Sequence, residues 1–135
     1  MAAILFYNLD GDKGSRLRML AMRLRVRVQN VSPTEFGETL AALTGREPRT
    51  NAACDAPFSG EMLVFVDFDN GLLNRFLTEA RKARLTVPLK AVLTPTNMHW
   101  TSVRLHEEIS REHEALRKGK SAHAPDGKDE GVRNT

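Results

Sequence analysis

Apolar positions recur along this chain with two alternating periods. Residues 3–9, AILFYNL, form a short run of aromatic and branched side chains that stops at DGDKG, as a buried strand entering a turn does. In the next segment Leu17, Leu20, Ala21 and Leu24 share one helical face, with Arg16 and Arg23 off it. RVRVQNV then alternates strictly, sending Val26 and Val28 one way and Arg25, Arg27 and Gln29 the other. A charged alternating strand belongs at a sheet edge, where its charges discourage pairing with other chains.

SPTEF carries the clearest local signal. Ser32 can cap a helix, Pro33 suits its first turn and Glu35 completes a capping box. The helix that follows is predicted to bury Phe36, Leu40 and Leu43 and to stop at Gly45. Residues 46–60 have no period and read as a long loop. MLVFVDF, residues 62–68, is apolar on both faces up to Asp67, as expected of a central parallel strand covered on both sides. Asp69 or Asn70 caps a helix that buries Leu73, Phe76, Leu77 and Ala80. LKAVLT is the fourth strand, and a weakly amphipathic helix runs from about Asn97 to Arg117.

Four strands alternating with four helices predict a small, flavodoxin-like α/β fold: an open parallel sheet of order 2-1-3-4 with helices on both faces. Residues 1–117 would form this single domain. Residues 118–135 have little to bury and are expected to be a disordered polar tail.

Charge and composition narrow the function. The net charge of +3 lies mostly in the tail, so the folded part lacks the basic footprint of a nucleic-acid binder. Cys54 is the only cysteine and cannot pair within the chain, which suits a reducing, cytoplasmic setting. The N-terminal apolar run is too short for a signal sequence, and no stretch is long enough to span a membrane.

In a parallel sheet of this order, ligands bind beyond the C-terminal ends of strands one and three. That crevice would gather Asn8, Asp10, Asp12, Asp67 and Asp69, with Thr94 and Asn97 at the end of strand four. Carboxylates beside a hydroxyl can hold magnesium and present a phosphoryl acceptor. The pattern faintly resembles response-regulator receivers, and VFVDFDNGLL with VLTPTN is similar to haloacid-dehalogenase-type phosphatases. Those families also need a lysine, and the phosphatases a further acidic motif, for which this chain has no matching residue. Lys90 lies at the wrong end of its strand, roughly 10 Å from Thr94, and is expected to keep its charge in water along the sheet edge. Asp10, Asp12 and Asp69 serve equally as turn and cap residues. The favoured reading is a non-catalytic binding or regulatory module. The alternative is magnesium-dependent phosphoryl transfer or phosphate-ester hydrolysis on an aspartate ending strand three.

DGDKGS lacks the spacing of a phosphate loop, and no cofactor is expected. His99, His106 and His113 recur every seven residues, roughly 10 Å apart on a helix, too far for two to share a metal. With Ile109 and Leu116, His106 and His113 form a stripe that could seat a second copy of the chain. The block from Leu63 to Leu116, with PLKAVLTPTN, Trp100 and a following L-x-E-E and E-H, resembles a bacterial domain family of unknown function. That resemblance implies no activity, cofactor or catalytic residue. It leaves Thr96 or Asn97 as a cap for the last helix and Trp100 packed on the sheet rim.

Overall fold

The computed structural model describes residues 1–54 and 56–123, with side chains of the last helix described as far as Arg117. Strands β1 (Ala3–Tyr7), β2 (Arg27–Val31), β3 (Met62–Val66) and β4 (Leu89–Val92) form one sheet. Helices α1 (Asp12–Arg23), α2 (Leu40–Leu43), α3 (Asn70–Lys82) and α4 (Ser102–His123) alternate with them. The sheet order is β2-β1-β3-β4, with the charged strand at one edge as its alternation demands.

Two apolar layers sandwich the sheet. On one face Ile4, Phe6, Leu63 and Phe65 pack with Leu17, Leu20 and Ala21 of α1 and Phe76 and Ala80 of α3. On the other, Leu5, Tyr7, Met62 and Val64 meet Phe36, Leu40 and Leu43 and, from α4, Leu105. Every residue of β3 is buried, because helices cover it on both sides. The Tyr7 hydroxyl lies 2.7 Å from that of Ser102, joining β1 to the start of α4. Burial holds the Tyr7 phenol well above its ordinary pKa, so it stays neutral and hydrogen-bonded.

The sheet is not parallel throughout, and a flavodoxin-like arrangement does not hold. β1 pairs parallel with β2, and β3 with β4, but β1 and β3 run antiparallel, with Ala3 opposite Val66 and Tyr7 opposite Met62. The cause lies in the segment read as a helix and a loop. The Ser32 capping box forms, but over a single 3-10 turn, Pro33–Glu35. α2 then has only four residues before Gly45, at φ +81°, ends it. Arg46 pairs with Asp67 beyond the end of β3, whereas the carbonyls of Phe58 and Gly60 meet Asn8 beyond the end of β1. Residues 46–58 therefore travel back along the sheet. This second pass delivers the chain to the opposite end, and β3 has to enter in reverse.

Specific contacts fasten the return pass. Buried Glu38 accepts hydrogen bonds from the amides of Thr50 and Asn51, at 2.9 and 2.7 Å. Gly37 has no room for a side chain, since a Cβ there would lie 2.8 Å from the Ala53 carbonyl oxygen. Phe58 stacks on Phe36 with centroids 4.4 Å apart, and His106 stacks on Phe58 at 3.9 Å.

The expected polar tail begins at residue 118, but α4 continues to His123. Residues 124–135 lie outside the described residues. No helix among the described residues is long and apolar enough to cross a membrane.

Two substitutions test this account. Ser32→Ala should lower unfolding stability by about 1 kcal/mol in urea titration, through loss of the cap. The Thr50 amide, then that of Asn51, holds the Glu38 carboxyl below its usual pKa of 4.5. Its contribution is therefore full above pH 4.5 and is lost as pH falls through the lower folded-state value. Glu38→Gln should reduce the urea midpoint at pH 7 and flatten its decline between about pH 5 and 3.

Candidate functional site

Antiparallel pairing divides the acidic residues between the two ends of the sheet. Asn8, Asp10 and Asp12 follow β1, whereas Asp67, Asp69, Thr94 and Asn97 follow β3 and β4 at the other end. The crevice expected between the ends of strands one and three therefore does not form.

Most of these side chains already have partners. The Asn8 amide donates to the carbonyls of Phe58 and Gly60, at 3.0 and 2.9 Å. Asp10 is exposed, and Asp12 pairs with Arg16 on the surface of α1 at 3.2 Å. Asp67, in the left-handed region at φ +60°, meets Arg46 at 2.9 Å. Asp69 caps α3 by accepting from the Leu72 amide at 2.7 Å. Thr94 and Asn97 bond each other reciprocally: the Thr94 amide donates to Asn97 Oδ1 and the Asn97 amide to Thr94 Oγ1. Asn97 Nδ2 also donates to the Val92 carbonyl, at 2.9 Å. The Leu93 amide pairs with Phe65 on β3, so alternation turns the Val92 carbonyl to the free edge of β4. The cluster thus blunts an open sheet edge and ends the strand. Among the described residues, no group of three or more His, Cys, Asp or Glu is placed to hold a metal.

The cap of the last helix is neither Thr96 nor Asn97. Thr101 Oγ1 takes that role, accepting from the Arg104 amide at 3.1 Å. Trp100 is partly buried against the α4-side core, with the Arg104 guanidinium 4.5 Å from its ring centroid. The α4 stripe is also divided: His106 lies on Phe58 and Ile109 packs into the core, while His113 and Leu116 are exposed.

A different feature stands out on the face covered by α1 and α3. A cleft of about 560 Å³ opens between the C-terminal half of α3, the α3–β4 connection and β4. Leu63, Phe76, Ala80 and Val87 give it an apolar floor. Arg81, Arg84 and Lys90 also line it. Lys90 lies opposite Leu63 in the sheet register. Leu89 and Ala91 pack on the α4 side and Val92 on the other, so alternation places Lys90 under α3. Its amine is not simply left in water. It donates to the Val87 carbonyl at 2.8 Å, and partial burial lowers its pKa. Sequence reasoning missed this site. Its traces were a lysine inside an apolar strand and the basic run RKAR at the end of α3.

Burial holds His106 below its ordinary pKa of 6.5, against a smaller opposing pull from Glu107. The unfolded chain thus takes up a proton first as pH falls, and stability contributed by neutral His106 is lost below about pH 6.5. The urea midpoint should fall between pH 7.5 and 5.5. His106→Phe, which keeps an aromatic face against Phe58, should reduce that dependence.

Residues 61–116 match a family model described as a domain of unknown function (DUF3783). No curated protein and no solved structure matches the chain. The matched block runs from the start of β3 into α4, and every residue lining the cleft falls within it.

Proposed function

We propose that this chain is a non-catalytic binding module whose ligand occupies the cleft between α3 and β4. The observation that carries the reading is the cleft itself: an apolar-lined concavity edged by Arg81, Arg84 and Lys90, in the volume range of ordinary ligand sites, roughly 300–1,000 Å³. The opposing reading, phosphoryl transfer on Asp67 or Asp69, needs carboxylates gathered at one end of the sheet. Asp67 is engaged by Arg46 and Asp69 by the first turn of α3, away from Asp10 and Asp12. The single cysteine supports a cytoplasmic setting. The match over residues 61–116 supports kinship with that family across this block. A homodimer through α4 would rest on the exposed part that carries His113 and Leu116, since His106 and Ile109 are engaged within the chain.

Two measurements separate the readings. A small-fragment mixture followed by amide chemical shifts should perturb Leu77, Ala80, Arg84 and Val87 together. Shifts confined to Asp67 and Asp69 on adding magnesium would favour the rival. Incubation with magnesium and acetyl phosphate should leave the intact mass unchanged. A stoichiometric phosphoryl adduct, absent in Asp67→Asn, would overturn the non-catalytic reading.

A further inference from the structure

The α3–β4 cleft has a consistent electrostatic character. Its lining includes Arg81, Arg84 and Lys90 but, among the described residues, no carboxylate. None of these three cations forms a salt bridge among the described residues. Several other cations of the fold are paired, whereas partly buried Arg18 rests on Asn30 and the Phe6 ring without a salt bridge. Lys13 binds Glu61 and the Thr86 carbonyl, each at 2.7 Å, Arg46 binds Asp67, and Arg49 binds Glu35. Lys90 has one described acceptor, the Val87 carbonyl, for an ammonium with three protons. A partly desolvated cation beside Phe76 and Leu63 loses hydration that a carbonyl replaces only in part.

We propose that the cleft binds an amphipathic anion: an apolar chain or ring of medium size ending in one carboxylate or phosphate. The body would lie along partly exposed Leu77, over the buried Leu63, Phe76, Ala80 and Val87, and the head would meet Lys90 and Arg84. This assignment rests on the cleft being the ligand site, and it adds the chemistry of the ligand. A neutral amphiphile fills the apolar floor but leaves the cations without a counter-charge. A cationic one brings like charges together.

Four probes with the same tail test the assignment: octanoate, octyl phosphate, octanol and octylammonium. Each is titrated into the full chain below its self-association range and followed by amide chemical shifts. Octanoate or octyl phosphate should give saturable shifts at Leu77, Arg84 and Val87, and the stronger of the two identifies the head group. Octanol should bind about tenfold more weakly, the effect of one charge-assisted hydrogen bond. Octylammonium should give no saturable shift there. Lys90→Met should weaken the anion about tenfold and leave octanol within about twofold. Arg84→Gln provides a second variant on a more exposed side chain, with the same direction expected. Octanol binding as tightly as both anions would overturn the anion assignment while leaving the cleft as a ligand site. No saturable shift at the cleft from any probe would remove both.

Discussion

The direction of β3 depends on where residues 46–60 deliver the chain. Asn8 sits just beyond β1 with its side-chain amide on two carbonyls of this segment, and Phe58 is held between Phe36 and His106. Buried Glu38 gathers the amides of Thr50 and Asn51 further back along the same path. A buried carboxylate taking backbone amides supplies partners that an irregular strand cannot find in a ladder. Together these contacts fix a stretch without regular structure firmly enough for it to set the polarity of the central strand.

The distribution of chemistry follows from that polarity. Once β3 runs against β1, the acidic turn after β1 and the aspartates after β3 stand at opposite ends of the sheet. Apart from exposed Asp10, these aspartates cap a helix or pair with arginines, and Asn8 beside them ties down a loop. At the β4 edge, Asn97 closes the Val92 carbonyl, while Lys90 on the adjacent face remains beneath α3. Polar groups at the strand end are thus mutually satisfied, whereas Arg81, Arg84 and Lys90 at the cleft form no salt bridge among the described residues. An anionic ligand would complete the second set and has no comparable opening in the first.

Much of the local structure was legible in the residues. Alternation in RVRVQNV placed β2 at the edge, the unbroken apolar run of MLVFV placed β3 at the centre, and the strand order followed. Capping chemistry at Ser32 and Asp69 was equally readable, because both act on amides two or three residues away. Strand direction was not readable in the same way. An apolar strand covered on both faces looks alike whichever way it runs, and the return pass has no hydrophobic period. Its fasteners, Glu38 with Thr50 and Asn8 with Phe58, join positions 12 and 50 apart. The cleft was hidden for a related reason. Lys90, Arg84 and Phe76 converge only after α3 folds back over β4, whereas the aspartates look like a site because they cluster in sequence.

The antiparallel pairing of β1 with β3 is the claim on which the rest stands, and backbone proton contacts test it directly. The register sets Ile4 opposite Phe65 and Leu5 opposite Val64. In an antiparallel ladder, one of two neighbouring pairs is the close, non-hydrogen-bonded kind, with Cα atoms about 4.5 Å apart. A nuclear Overhauser spectrum of the labelled chain should show a strong Hα–Hα cross-peak for one of these pairs. No such peak, with amide-to-Hα contacts in a parallel register instead, would contradict the account and return the carboxylates to a shared crevice.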